Sequence, residues 1–265
     1  MVPENDREEV LTVRRDPYFK EREAVAGRLP SCARKFPEAA EVLNFYGRLL
    51  ECQGAIETPD VRTLGDCRSP RMAPAIRGVL ETCRRHGTDI LRRQAGELAG
   101  LSDAELGGMA EAFFQHALEG TRRLAVMAAL GATATVLETP RTGGLRSVCP
   151  VCGMPPVVSY LGNDSDSQGA RFARCGVCHA EWPAGRTACL SCGNENDDEL
   201  AYFHPEGSRE VMIQLCRECG RYTKIIDFRE RGPVTPEMED IATLSLDLWM
   251  RAEGHPKLFP NLFGY

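Results

Sequence analysis

The sequence predicts an N-terminal all-α helical domain, then two tandem four-cysteine metal modules built on short β-strands, then a C-terminal helix. Three observations carry this expectation: helical apolar periodicity ahead of residue 140, four Cys-x-x-Cys pairs between residues 149 and 220, and an internal repeat of about 40 residues. The expected boundaries are residues 1–140 for the helical domain, 141–188 and 189–232 for the modules, and 233–265 for a helix and tail packing back on the body.

From Pro37 to Ile56, apolar residues recur at helical spacing (Leu43, Tyr46, Leu49, Leu50), and Pro37 suits a first turn. Thr58, Pro59 and Asp60 mark a turn. Pro70 and Pro74 open a second helix with Ile76, Val79, Leu80 and Cys83 on one face. It is expected to run through Ile90 and Leu91, with Gly87 as its weak point. Ser102 and Glu105 form a capping-box signature before Leu106, Met109, Phe113 and Leu118, and Gly120 is the expected stop. Leu124–Leu137 is almost continuously apolar and suits a central buried helix; Pro140–Ser147 reads as a linker.

Val157–Tyr160 and Arg171–Arg174 read as strands flanking the polar loop GNDSDSQG. Tyr202–Phe203 and Val211–Ile213 play the same parts around HPEGS, and Tyr222–Phe228 is a further strand. Thr235 as N-cap, Pro236 at the first position and acids in the first turn begin the last helix. Its expected apolar face is Ile241, Leu244, Leu246, Leu248 and Trp249, and Gly254 ends it.

A Cys-x-x-Cys turn aims two sulfurs at one point, so two such turns close a tetrahedral metal site. The pairs are Cys149/Cys152, Cys175/Cys178, Cys189/Cys192 and Cys216/Cys219. Cys149 precedes Cys189 by 40 positions and Cys175 precedes Cys216 by 41, while CPVCG answers CLSCG. Duplication favours pairing each repeat with itself, giving sets 149/152/175/178 and 189/192/216/219, with 22 and 23 residues between knuckles. A rival wiring joins the two middle knuckles and leaves the outer two together. Two metal ions are expected, iron or zinc, since four thiolates suit both. Filled ligand shells leave no position for water, so no catalytic residue is assigned and no enzyme is expected.

Gly153, Gly193 and Gly220 follow three knuckles, where positive φ is needed; His179 follows the other and reads as a solvent-facing turn residue rather than a ligand. Cys52 and Cys83 fall in helical patterns and read as packing residues, and His116 as a core-edge histidine. Neither a Walker pattern nor GxGxxG follows a strand.

The formal charge of −6 would fall further with thiolate-bound metal. Residues 141–231 hold 11 Lys and Arg against 12 Asp and Glu, so a zinc-ribbon nucleic-acid binder lacks its basic footprint. No apolar run reaches 18 residues, so no membrane insertion is expected. Twelve cysteines behind an N-terminus without a signal-peptide pattern read as reduced and cytoplasmic.

CPVCGMPPV and CGVCHAEW followed by two more pairs, FPEAAEVLNFYGRLLECQ near the start, DPYFKEREAVAGRL before it, and IATLSLDLWMRAEGHPKLFPNLFGY at the end together resemble the FdhE family of formate dehydrogenase accessory proteins. The resemblance implies a helical segment at DPYFKEREAVAGRL, rubredoxin-like metal modules, and all eight knuckle cysteines as ligands. It also implies a cytoplasmic protein that binds the catalytic subunit of a respiratory formate dehydrogenase during maturation. A rubredoxin-like electron-transfer or redox-sensing protein is the alternative, and self-association stays open.

Overall fold

The computed structural model describes residues 18–56, 61, 63–133, 147–162, 169–205, 210–229 and 235–265. Six helices come first: α1 (Tyr18–Lys35), α2 (Ala40–Ala55), α3 (Ala73–His86), α4 (Asp89–Ala99), α5 (Asp103–Phe114) and α6 (Gly120–Thr133). The segment DPYFKEREAVAGRL falls largely on α1, which tolerates Pro30 inside it. From Thr121 to Thr133 every residue of α6 except Arg122 is buried. Its small residues let neighbours approach from several sides, and α2, α3, α4 and α5 all touch it. Gly131 shows how close: a Cβ there would lie 2.8 Å from Gln53 Nε2 and 2.9 Å from His179 Nε2.

Two helix boundaries differ from expectation. The helix over 73–91 is two helices, because Thr88 accepts from the Leu91 amide and starts α4 afresh. Gly87 leaves no room for a side chain, since a Cβ would sit 2.4 Å from the Cys83 carbonyl oxygen. Farther on, α5 has the expected capping box but stops at Phe114. The left-handed residue that ends it is His116 (φ 57°), and Gly120 (φ 55°) opens α6 instead of closing α5. His116 is exposed and packs edge-on against Phe259, so it is not a core-edge histidine. The turn at 58–60, most of the linker over 140–147 and the polar loop at 163–168 lie outside the described residues.

Six strands form one sheet: β1 (Pro156–Gly162), β2 (Ala170–Cys175), β3 (Glu181–Ala184), β4 (Leu200–Phe203), β5 (Val211–Cys216) and β6 (Tyr222–Asp227), in the order β3-β2-β1-β6-β5-β4. Each repeat supplies three antiparallel strands, and the repeats join where β1 runs parallel to β6, Tyr160 beside Ile226. The strand β3 has no counterpart in the sequence reading; Pro183 and its length of four residues hide it.

The last helix is likewise two, α7 (Pro236–Ala242) and α8 (Leu244–Ala252), broken at Thr243 (φ −102°, ψ 35°). The break has a chemical cause. Lys224 on β6 is fully buried, and its ammonium donates to the carbonyls of Asp240 and Thr243, both at 2.9 Å. It also meets Asp247 at 2.6 Å and Asp240 at 3.2 Å, while Lys257 meets Asp240 at 2.6 Å and Asp247 at 3.2 Å. Tyr222 donates to Asp247 at 2.8 Å. Two lysines and two aspartates thus form a buried, neutral quartet. Burial lowers the Lys224 pKa, the aspartates opposing it; Asp240 stays below the ordinary carboxylate range despite burial because Lys224 and Lys257 face it.

Leu248 and Trp249 do not join an apolar face: they are 49% and 41% exposed, and the buried residues of α8 are Asp247 and Met250. Thr235 makes no side-chain cap bond. Met238, Ile241 and Ala242 of α7 pack on α1 and α2 with Val25, Leu29, Leu43 and Tyr46.

Lys224→Met should strand two buried carboxylates with a single lysine and cost about 3–5 kcal/mol. Chemical denaturation reads this as a lower midpoint at unchanged slope; an unchanged midpoint contradicts the quartet's structural role.

Candidate metal centres

Cys149, Cys152, Cys175 and Cys178 lie together, as do Cys189, Cys192, Cys216 and Cys219, with the sulfurs of each set within 4.8 Å of one another. The wiring is therefore repeat with itself. In each set the first knuckle precedes a hairpin (β1–β2 or β4–β5) and the second follows it, so antiparallel pairing brings the two turns to one end. Pro156 pairs with Cys175 and Leu200 with Cys216, which fixes that register.

The knuckles are alike in detail. Gly153, Gly193 and Gly220 have φ of 76°, 78° and 69°, and His179 takes 57° in the equivalent place. Each of these three glycines donates to the carbonyl of its knuckle's first cysteine at 2.9 Å. Amides of Val151, Val177 and Ser191 reach the sulfurs of Cys149, Cys175 and Cys189 at 3.4 Å. These donors favour thiolate over thiol.

Sulfur spacing tests the fit to a metal. A tetrahedron with zinc–sulfur bonds of 2.3 Å has a sulfur–sulfur edge of about 3.8 Å. Cys189–Cys219 and Cys192–Cys216 stand at 3.8 and 3.7 Å; Cys149–Cys178 and Cys152–Cys175 are tighter at 3.4 Å. Both sets can hold one ion each. In the first set hydrogen bonds from Cys152, Cys175 and Cys178 hold Cys149 below the usual thiol range. Its hydrogen bond to Cys149 pushes Cys152 up, and burial does the same to Cys175. Four sulfurs so placed ionise together only around a cation.

The two sets differ in surroundings. All four cysteines of the first are buried at 3% exposure or less, and its second knuckle rests on α6, where a Cβ at Gly176 would lie 2.9 Å from Met127. In the second, Cys189 and Cys216 are buried, Cys219 is half-buried and Cys192 is exposed.

His179 is not solvent-facing: it is 8% exposed, and its Nδ1 meets Glu237 Oε1 at 3.0 Å. Nor is it in either sulfur set. Arg174, also buried, reaches Glu237 at 2.7 Å and Glu181 at 2.9 Å. Burial works to raise the Glu237 pKa, but Arg174 and His179 outweigh it and hold the carboxyl at about 2. Sequence reading placed Glu237 among ordinary first-turn acids; its partners lie 58 and 63 residues away, beyond any local signal. Cys32, Cys52, Cys67 and Cys83 belong to neither set, and burial pushes the Cys67 and Cys83 thiols up to about 12.

The family model "FdhE, central domain" matches residues 148–186, and "FdhE, C-terminal domain" matches residues 187–263. A "Protein FdhE homolog" of Aquifex aeolicus is 32% identical over 93% of this chain and 96% of its own. One from Cronobacter sakazakii is 38% identical over 45% of this chain and 40% of its own. The crystal structure of the FdhE protein from Pseudomonas aeruginosa superposes with a TM-score of 0.77 at 17% identity, covering 96% of this chain and 98% of the other, which shows a shared fold.

Chelator challenge of protein loaded with two equivalents of Zn²⁺ should release metal in two phases, the exposed second set first. Cys192→Ser should remove the fast phase and leave the slow one; a fast phase that survives contradicts the assignment. A second expectation concerns acid. The Glu237 pKa is depressed, so its contribution of roughly 3 kcal/mol is complete above about pH 4.3 and is lost as pH falls towards 2. Unfolding of Glu237→Gln should show a flatter pH dependence across that window, and an unchanged slope contradicts it.

Proposed function

The chain belongs to the FdhE family, and from that premise we propose that it is an accessory protein for maturation of a respiratory formate dehydrogenase, binding the catalytic subunit in the cytoplasm. The observation carrying this reading is similarity to an FdhE homolog along nearly the whole length of both chains. No described helix is long and apolar enough to cross a membrane. Cys149, Cys152, Cys175 and Cys178 would hold one ion, and Cys189, Cys192, Cys216 and Cys219 the other, iron or zinc. Four protein sulfurs per ion leave no place for water or substrate, which supports a non-enzymatic role in which metal fixes the knuckles and hence the sheet.

One observation favours a second reading. Exposure of Cys192 brings solvent, and with it a redox partner, to a ligand sulfur. If the second centre holds iron it can exchange electrons at that edge. Voltammetry on anaerobically prepared protein decides: a reversible Fe³⁺/Fe²⁺ wave supports this reading, and zinc in protein isolated from its own cell removes it.

For the leading reading, purified chain should bind the apo catalytic subunit, the client, and deletion of its gene should cut formate dehydrogenase activity at least tenfold. Absence of binding together with undiminished activity overturns the proposal.

A further inference from the structure

Large apolar side chains are exposed at Ile90, Val148, Tyr202, Phe203, Leu248 and Trp249 among the described residues. Two of them meet across elements: the rings of Phe203 on β4 and Trp249 on α8 are 5.4 Å apart, edge to face, and Leu248 adjoins Trp249. A tryptophan 41% exposed and a leucine 49% exposed beside it form an apolar patch, and partner recognition concentrates on such anchors.

Arg251, three residues on from Leu248 and so its neighbour on the surface of α8, lines a groove of about 1130 Å³. Arg221, Arg251 and His255 line it near the second knuckle set, and His116 and Glu119 line it from the α5–α6 connection. Arg221 and Arg251 are exposed and make no ion pair among the described residues. His255 is held there by its Nδ1, 3.3 Å from the Gly220 carbonyl. His116 projects from a backbone with φ 57°, a conformation a non-glycine residue adopts rarely. Asp247, the other acid in the groove, is buried and bound to Lys224, Lys257 and Tyr222. The exposed side-chain charges of the groove are thus Arg221 and Arg251 against Glu119, two guanidiniums gathered at one end on a chain of charge −6, while the Tyr265 backbone oxygen accepts from Lys257 at 3.4 Å.

We propose that Phe203, Leu248 and Trp249, with Arg251 and Arg221, form the docking surface for an extended polypeptide segment carrying carboxylates among apolar side chains. Aromatic anchors bury the segment's apolar residues, and the two guanidiniums pair with its carboxylates bidentately. A polynucleotide fits less well, because two exposed cations and an apolar patch give little phosphate neutralisation. Identifying the segment with the client rests on the function proposed above.

The test uses the full metal-loaded chain and two probes: the apo catalytic subunit, and a fluorescent 12-residue peptide alternating Glu or Asp with Leu or Phe. Trp249→Ala/Phe203→Ala and Arg221→Glu/Arg251→Glu change exposed side chains, and unchanged metal content and melting temperature establish their folding. Each double variant should weaken both probes at least tenfold, and raising the salt should weaken wild-type binding. Loss of peptide binding in the variants, with no client binding by wild type, keeps the surface and rejects the client. Client binding that the variants leave intact overturns the surface and keeps the function. Tighter binding of a 12-nucleotide RNA than of the peptide also overturns it. So does loss of self-association in the aromatic variant, in sedimentation runs, with peptide affinity unaltered.

Discussion

Buried charge on a seven-residue helix holds the two halves of this protein together. The helix α7 turns Met238, Ile241 and Ala242 towards α1 and α2, and sends Glu237 and Asp240 towards the sheet. Each carboxylate meets cations fixed on different elements: Arg174 on β2 with Glu237, Lys224 on β6 and Lys257 in the tail with Asp240. A buried carboxylate without such partners would cost several kcal/mol, so helix, strand and tail must arrive together. Pairing of this kind specifies position more than it adds stability, since well-packed apolar residues can match its energy.

The first sulfur set shares that constraint. Arg174 stands one residue before Cys175, and His179 one residue after Cys178, and both are held by Glu237. Gly131 admits His179 against α6, so helix packing, ion pairing and knuckle geometry converge on one buried place. The second set has no comparable enclosure; Leu200 is its buried apolar neighbour. Similar cysteine spacing therefore yields two different environments, one inside the core and one at its margin.

Local chemistry made much of this legible in sequence. Knuckle spacing, the glycines after three of them and the duplicated interval all act within a few residues or one hairpin, and the self-paired sets follow. The capping box at Ser102 and the apolar run of α6 were equally local. What escaped depends on distant partners. Glu237 reads as a first-turn acid until Arg174 is brought to it, and Asp240 carries no local signal until Lys224 and Lys257 meet it. Leu248 and Trp249 fitted a continuous apolar helix face only while Lys224 was not known to capture the carbonyls that break it. His116, not Gly120, closes α5, because a left-handed residue is cheap for glycine but not confined to it.

The sheet joins its repeats head to tail: the outer edge of β1 in one meets the outer edge of β6 in the next. A junction of this kind does not close on itself, for β4 corresponds to β1 and β3 to β6, so the same pairing rule would let unit follow unit into an open fibre. One terminus is blunted. On β3, Pro183 has no N–H to offer a newcomer, whereas β4, of the same four-residue length, carries no proline. The missing donor weakens strand addition at that edge, and among the described residues β4, whose Phe203 meets Trp249, is the opposite edge of the sheet.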